Sequence, residues 1–188
     1  INVVVVTDVH SWVGGHGDKE GDLYNADYGD VISFVEHLKA YAAAASNQHQ
    51  DVWFVMNGDW VDGTGLAMNG DTSRLVPILE KMPWDAMNVG NHELYDPLVI
   101  ESASKTGGMI EWFGKRYLSS NVLHANTNEP MGHRYRILAG PNYNVLTFGF
   151  LYNMNDHADT VTVEDVESVV EQDWFLQIVR DTHSYDAI

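Results

Sequence analysis

The chain has 188 residues, a formal net charge of −17 at pH 7 and only ten lysines and arginines. This length corresponds to one ordinary domain, and a hydrophobic content of 45% excludes disorder driven by low hydropathy. The scarcity of basic residues removes the counterion-release term that drives nucleic-acid binding, so no nucleic-acid partner is expected.

Cysteine is absent, which excludes disulfides, thiolate metal sites and a cysteine nucleophile. No apolar run approaches the roughly 18–20 residues that a transmembrane segment requires. The chain begins directly in a strand-like run, without an initiator methionine or a basic leader. We therefore expect a trimmed N-terminus, from which a signal peptide could have been removed.

The first half of the chain alternates between strand and helix patterns. Ile1–Asp8 is a nearly unbroken valine run, which predicts a strand buried on both faces. The loop at residues 11–28 has an acidic pattern that superficially resembles a calcium loop. Because Leu23 stands where such a loop needs glycine, a solvated loop is predicted instead. Apolar residues at helical spacing from Asp30 predict an amphipathic helix.

The alternation continues past residue 50. Asp51–Met56 predicts a second buried strand, Asp71–Met82 predicts a helix that Pro83 ends, and Ala86–Asn91 predicts a third short strand. Strands that alternate with helices predict parallel βαβ units. In such units, ligands bind at the carboxyl ends of the strands.

The second half of the chain predicts a helical segment, a strand, a hairpin and a long helix. Their bounds are Pro97–Gly114, Tyr117–Leu123, Arg134–Ala139 with Asn144–Tyr152, and a helix that begins near Thr162. A further strand should begin near Ala187. We therefore expect residues 1–188 to form the N-terminal portion of a single domain, with a sheet edge that a missing segment or a partner chain would complete.

Three polar stretches each follow a predicted strand. They are Thr7-Asp8-Val9-His10, Asn57-Gly58-Asp59-Trp60-Val61-Asp62 and Gly90-Asn91-His92-Glu93. Because the carboxyl ends of parallel strands meet at one edge of a sheet, these stretches should converge. Carboxylate and imidazole groups suit a borderline divalent metal such as Zn, Mn or Fe.

The candidate metal ligands are Asp8, His10, Asp59 and Asn91. The two carboxylate oxygens of Asp59 can bridge two cations roughly 3.5–4 Å apart. Asn91 offers a neutral carbonyl oxygen, which leaves the charge of the metal available for a substrate. His92 should be better placed for proton transfer than for metal ligation.

In this order, the three stretches resemble the calcineurin-like metallophosphoesterases, whose pattern is D-x-H, G-D-x-x-D and G-N-H-E, followed by two later histidine motifs. Residues 58–64 and Tyr117–Val122 are most similar to the 5′-nucleotidase branch, and the resemblance extends from Val3 to about Leu151. It implies an α/β fold of two packed mixed β-sheets flanked by helices. It also implies a metal-dependent phosphomonoester hydrolase, commonly secreted or on the cell surface.

The resemblance assigns roles to the polar residues. It implies two divalent or trivalent metal ions, one held by Asp8, His10 and Asp59, the other by Asp59 and Asn91. A hydroxide shared by the metals would attack phosphorus in line. Asn91 and His92 would contact a small phosphorylated substrate, such as a nucleotide. His92, oriented by Asp62, would stabilise the transition state or protonate the leaving group.

The sequence departs from the 5′-nucleotidase pattern in two places. Leu94 and Tyr95 precede Asp96, where the branch usually has one aromatic residue before the aspartate. No Gly-His-x-His occurs, so the remaining ligands are expected beyond Ile188. A non-catalytic family member or fragment that serves as a binding or assembly module is therefore the alternative function.

Two tryptophans flank the proposed ligands, and their role is open between two alternatives. Trp12 follows the first polar stretch, and Trp60 lies within the second. Either ring could stack on a nucleobase, or either could pack in the wall of the cleft. Hydrolysis of a diester or a sulfur ester also stays open, because these motifs predict metal chemistry and little substrate selection.

Overall fold

The computed structural model describes residues 1–15, 26–44, 49–62 and 64–188, so most of the acidic loop with its calcium alternative lies outside the described residues. The strands are β1 (Asn2–Val6), β2 (Val52–Asn57), β3 (Ala86–Asn88), β4 (Tyr117–Leu118), β5 (Val122–His124), β6 (Tyr135–Ala139), β7 (Asn144–Phe148) and β8 (Val161–Val163). The α-helices are α1 (Tyr28–Ala43), α2 (Val76–Leu79), α3 (His92–Tyr95), α4 (Pro97–Ser104), α5 (Met109–Phe113), α6 (Val166–Val169) and α7 (Asp173–Arg180). Short 3₁₀ helices occupy Gly65–Gly70, Thr72–Arg74 and Gly114–Arg116.

A parallel sheet with the strand order β1-β2-β3-β4 organises the fold. This confirms the prediction of parallel βαβ units. The carboxyl ends of β1, β2 and β3 lie side by side at one edge of the sheet, because Val6 pairs with Met56 and Met56 pairs with Met87. The three polar stretches therefore leave the sheet next to one another.

The two faces of the parallel sheet pack against different layers. Phe54 and Met56 on β2 point into the large core that the helices cover. Trp53, the alternate residue on β2, packs on the other face against Leu138 of β6. The antiparallel pair β6–β7 thus forms a second layer. The result is an α/β fold with two packed sheets flanked by helices, as the sequence predicts.

The prediction that β1 is buried on both faces is wrong. Val4 and Val6 pack against the main core, whereas Val3 and Val5 are 52% and 53% exposed. β1 is an edge strand, and the described residues that cover the second face of the sheet pack over β2, β3 and β4. A run of valines does not reveal which strand lies at an edge.

The predicted strand Tyr117–Leu123 is two strands that belong to different sheets. β4 completes the parallel sheet, and β5 pairs antiparallel with β8. The break falls at three fully buried polar residues, Ser119 to Asn121. The Asn121 amide donates to the carbonyls of Leu151 and Glu164 and accepts from the Leu151 N–H. These side-chain bonds replace the backbone pairing that a continuous strand would need.

Two predicted helices are also interrupted. Asp71–Met82 contains a 3₁₀ turn followed by α2, which has a proline in its first turn. The helix predicted from Thr162 begins later, because the β-branched residues of β8 pair with β5. The predicted hairpin is confirmed as β6–β7. Ala187 forms an isolated parallel bridge with Val145, and the strand expected to begin there stays a prediction.

Candidate metal centre

The loops that follow β2 and β3 touch through glycines. Gly58 has a φ of +86°, and a Cβ atom on it would lie 2.6 Å from the Cα atom of Gly90. A Cβ atom on Gly90 would in turn lie 2.2 Å from Oδ1 of Asp59. Both distances are far inside van der Waals contact. Glycine is therefore required at both positions to bring Asp59 next to the third polar stretch.

Three of the predicted ligands have a backbone conformation that is rare outside glycine. The φ angles of Asp8, His10 and Asp59 are +57°, +50° and +54°. Each such residue costs roughly 1–3 kcal/mol, and such residues cluster at functional sites. The loops hold one another in place, since the His10 N–H donates to the carbonyl of Asp59 at 3.0 Å. This conformation turns the side chains away from the strand direction and toward one another.

Glu93 carries a buried carboxyl group that fixes both glycine-containing loops. It is 1% exposed and accepts hydrogen bonds from the backbone N–H groups of Asp59, Val61 and Gly90 at 2.9, 3.0 and 2.7 Å. Burial raises the pKa of Glu93 to about 8, and the charge of Asp59 adds to this rise, while the three N–H donors oppose it. Sequence reasoning gave this glutamate no role beyond its place in the G-N-H-E pattern.

The His10 imidazole lies among three carboxylates. Its Nε2 atom is 3.9 Å from Oδ1 of Asp8 and 3.9 Å from Oδ2 of Asp59, and its Nδ1 atom is 3.4 Å from Oδ2 of Asp62. Nε2 is buried and has no hydrogen-bond partner. A buried polar atom without a partner is uncommon in native proteins and calls for an explanation.

His92 joins the same cluster. Its ring lies 4.1 Å from the ring of His10, measured between centroids, and its backbone N–H donates to Oδ1 of Asp59 at 2.9 Å. The nearest ligand atoms of His10, Asp59 and His92 all lie within 4.8 Å of one another. The structure therefore includes His92 among the candidate ligands, although the sequence predicts proton transfer for this residue.

The geometry of this cluster fits a divalent cation. A separation of 3.9 Å between Nε2 and each carboxylate oxygen is too long for a hydrogen bond. Twice the zinc–ligand distance of about 2.0–2.2 Å is the largest separation that one cation can span, and the observed separations lie within this limit. A cation between these atoms would also give the unpartnered Nε2 its missing partner. Imidazole and carboxylate donors are those that zinc, manganese and iron accept.

Asn91 lies next to the cluster, with its amide held by a residue that sequence reasoning missed. Its Nδ2 donates to the hydroxyl of Tyr95 at 2.9 Å. The Tyr95 ring contacts the ring of His92 edge-on at 5.3 Å. Desolvation and the neighbouring Tyr95 hydroxyl raise the pKa of Tyr152. The sequence did contain a signal for Tyr95, because Leu94-Tyr95 departs from the 5′-nucleotidase pattern at this position.

Asp62 faces His10 in the structure. Its carboxylate lies 3.4 Å from Nδ1 of His10, and no ion pair between Asp62 and His92 occurs among the described residues, so the orientation of His92 by Asp62 stays a prediction. The same carboxylate accepts from the Thr64 N–H at 2.9 Å and from the Thr64 hydroxyl at 2.5 Å. This turn at the end of the second polar stretch directs Asp62 toward the first stretch, so the side chain that Asp62 faces is His10.

The two tryptophans differ in exposure. Trp60 is 1% exposed and packs in the main core. Its ring therefore has no face open to a ligand, which agrees with the alternative that this tryptophan has a packing role. Trp12 is 40% exposed beside the first polar stretch, so its contact with a substrate stays a prediction.

These observations agree with the comparison against known protein families. Residues 1–185 match the calcineurin-like phosphoesterase family, and the chain belongs to this family. Its relatives include a secreted protein of Arthroderma benhamiae, 30% identical over 96% of this chain, and an uncharacterized Schizosaccharomyces pombe protein, 28% identical over 97%. The chain spans only 27% and 30% of the length of these two relatives.

Solved structures give the same result for the fold. A 5′-nucleotidase from Candida albicans superposes with a TM-score of 0.81 and 29% identity, over 95% of this chain and 33% of that one. The NAD nucleotidase of Haemophilus influenzae superposes with a TM-score of 0.69 at 13% identity, over 98% of this chain and 33% of that one, which is a likeness of fold. Across the described ranges, no helix combines the length and apolar character needed to cross a membrane.

Proposed function

We propose that the protein containing this chain is a metal-dependent phosphomonoester hydrolase of the 5′-nucleotidase type. The observation that carries the proposal is the buried Nε2 of His10, which lacks a hydrogen-bond partner and faces the carboxylates of Asp8 and Asp59 at 3.9 Å. Membership of the calcineurin-like phosphoesterase family supports this reading. Residues 1–188 would form the N-terminal portion of the catalytic domain, since the relatives are about three to four times as long.

Asp8, His10, Asp59 and Asn91 are the residues that would hold two cations of zinc, manganese or iron. Bound cations of this kind supply Lewis acidity and lower the pKa of a coordinated water toward about 7. They would also reverse the local field, because a chain with a net charge of −17 otherwise repels a phosphate ester.

His92 is the residue that we assign to the leaving group. Its backbone N–H is fixed on Asp59 and its ring packs between His10 and Tyr95, so the imidazole has little freedom to rotate. A protonated imidazole held in a fixed orientation can donate its proton to a leaving alkoxide. Asp62 would act on this site through His10, which it contacts at 3.4 Å.

A nucleoside monophosphate is the substrate class that we propose. The 5′-nucleotidase from Candida albicans, at 29% identity, supports this choice. Trp12 is 40% exposed beside the ligands and offers a ring on which a base could stack, while Asn91 and His92 would contact the phosphate. A secreted or cell-surface location is proposed from the secreted relative of Arthroderma benhamiae.

Phosphate release from nucleoside 5′-monophosphates by the full-length protein tests this proposal. With Mn²⁺ present, the wild type should release phosphate, and a chelator should abolish release. Asp59→Asn should lose at least about 100-fold in kcat, since it removes a charged ligand. His92→Ala should lose about 100-fold or more. The control is Asp173→Asn, an exposed aspartate on α7.

The alternative, a non-catalytic binding or assembly module, predicts a different result in the same assay. Phosphate release would then be absent, or it would be the same in the wild type, Asp59→Asn and His92→Ala. Release from a phosphodiester with none from the monophosphates would replace the monoester assignment and keep the metal centre.

A further inference from the structure

The Asn91 side chain has an unusual hydrogen-bonding arrangement for its position. Asn91 is the residue that precedes α3, where an asparagine ordinarily accepts a hydrogen bond from the N–H groups of the first helical turn. Its side chain makes no such bond. Instead, Nδ2 donates to the hydroxyl of Tyr95, four residues along the same short helix, at 2.9 Å.

This arrangement decides which end of the amide is available to a cation. A side-chain amide has a carbonyl oxygen that accepts and an NH₂ group that only donates, and a rotation by 180° exchanges them. Only the oxygen can bind a cation. Because the NH₂ group donates to the Tyr95 hydroxyl, Oδ1 of Asn91 is the end of the amide that a cation can bind.

We propose that Tyr95 is a positioning residue, whose hydroxyl holds the Asn91 amide with Oδ1 presented to the metal centre. The inference rests on the proposed function, in which Asn91 is a ligand. A fixed amide binds a cation more tightly than a freely rotating one, because ligand orientation is set before binding. Hydrogen bonds to metal ligands from outside the coordination sphere typically contribute 10- to 100-fold to metal affinity.

One further contact holds the Tyr95 side chain in this position. Its ring packs edge-on against the His92 ring at 5.3 Å, with an interplanar angle of 79°. Tyr95 is nevertheless 44% exposed. Removal of one oxygen atom from an exposed side chain should leave the fold intact, so an effect on metal binding would not arise from unfolding.

The test is the affinity of the full-length, metal-free protein for Mn²⁺, measured by titration calorimetry. Tyr95→Phe keeps the ring contact with His92 and removes the hydroxyl. It should weaken Mn²⁺ binding about tenfold without a change in the thermal midpoint of the metal-free protein. The matched control is Tyr143→Phe. Tyr143 is similarly exposed at 43%, but its backbone bonds to Asp51 at the amino end of the parallel sheet.

A double variant separates failure of this inference from failure of the proposed ligand. Asn91→Ala should itself weaken Mn²⁺ binding, and Tyr95→Phe should then have no additional effect, because its target is gone. Unchanged binding in Asn91→Ala would overturn the ligand assignment. A weakened Asn91→Ala with an unchanged Tyr95→Phe would overturn the role of Tyr95 alone. Additive losses in the double variant would also overturn it, since Tyr95 would then act through another group.

Discussion

At the residue scale, Asp59 connects every part of the candidate centre. Its Oδ1 accepts from the His92 N–H at 2.9 Å, and its Oδ2 faces Nε2 of His10 at 3.9 Å. Its own N–H donates to the buried carboxylate of Glu93. A single side chain with two oxygens and a constrained backbone can therefore align the first and third polar stretches. The position of Asp59 depends on Glu93, which makes Glu93 the residue to test.

Glu93→Ala should lower the free energy of unfolding by at least about 3 kcal/mol, because three backbone N–H donors would lose their acceptor in the core. Urea titration followed by tryptophan fluorescence measures this change. Glu101→Ala, an exposed glutamate on α4, is the control and should change stability by less than about 0.5 kcal/mol. A loss below 1 kcal/mol for Glu93→Ala would mean that these hydrogen bonds do not hold the loops.

At the element scale, the centre depends on how closely the loops after β2 and β3 approach each other. Gly58 and Gly107 have similar backbone conformations, with φ angles of +86° and +76°. A Cβ atom on Gly107 would meet nothing within 4 Å, whereas one on Gly58 would meet the backbone of Gly90 at 2.6 Å. The two glycines thus separate the cost of backbone conformation from the cost of the loop contact.

Gly107→Ala should lower the free energy of unfolding by about 1 kcal/mol, the cost of a left-handed alanine. Gly58→Ala should lower it by about 3 kcal/mol or more and should also abolish Mn²⁺ binding, because the loops must separate. Urea titration and calorimetry measure the two effects. Equal destabilisation by both substitutions, with Mn²⁺ binding retained in Gly58→Ala, would show that the loop contact is not required.

The second layer is attached through Asp51, which precedes β2 at the end of the sheet away from the centre. Asp51 is 1% exposed and accepts from the backbone N–H groups of Asn142 and Tyr143 and from the Asn142 amide.

Asp51→Ala should lower the free energy of unfolding by about 3 kcal/mol in a urea titration. Mn²⁺ affinity should change less than threefold. A large loss of affinity would mean that the hairpin position controls the centre.

How much of the structure the sequence predicts depends on how far apart along the chain the interacting residues lie. The rule that ligands lie at the carboxyl ends of parallel strands was sufficient to bring Asp8, His10 and Asp59 together. It could not predict the break at Asn121 that divides the predicted strand Tyr117–Leu123 into β4 and β5, because the carbonyls that accept from the Asn121 amide lie 30 and 43 residues away. The contact between Tyr95 and Asn91 was local, but only coordinates reveal the direction of two side chains.

At the scale of the whole molecule, one face of β1 is only partly covered by the residues that the structure describes. Val3 and Val5 are about half exposed, while Val4 packs against the core. The relatives extend well beyond the matched region, since this chain covers 33% of the Candida albicans 5′-nucleotidase. We propose that further polypeptide of the full-length protein covers Val3 and Val5, because exposed β-branched residues on an edge strand favour association.

Val5→Thr replaces one methyl group by a hydroxyl at nearly constant shape. In the full-length protein it should lower the free energy of unfolding by about 1–3 kcal/mol if further polypeptide buries Val5. Val4→Thr, on the opposite face, is the positive control and should show a loss of the same order. A change within about 0.5 kcal/mol for Val5→Thr would mean that this face is solvated in the complete protein.

The loops after β1, β2 and β3 are expected to form a metal centre, and anomalous diffraction tests this most directly. Crystals of the full-length protein grown with Zn²⁺, measured at the zinc absorption edge, should show a peak about 2.0–2.2 Å from Nε2 of His10 and from a carboxylate oxygen of Asp59. The same peak should be absent from crystals of Asp59→Asn. A map with no peak between His10 and Asp59, or with its peaks on other residues alone, would contradict the account.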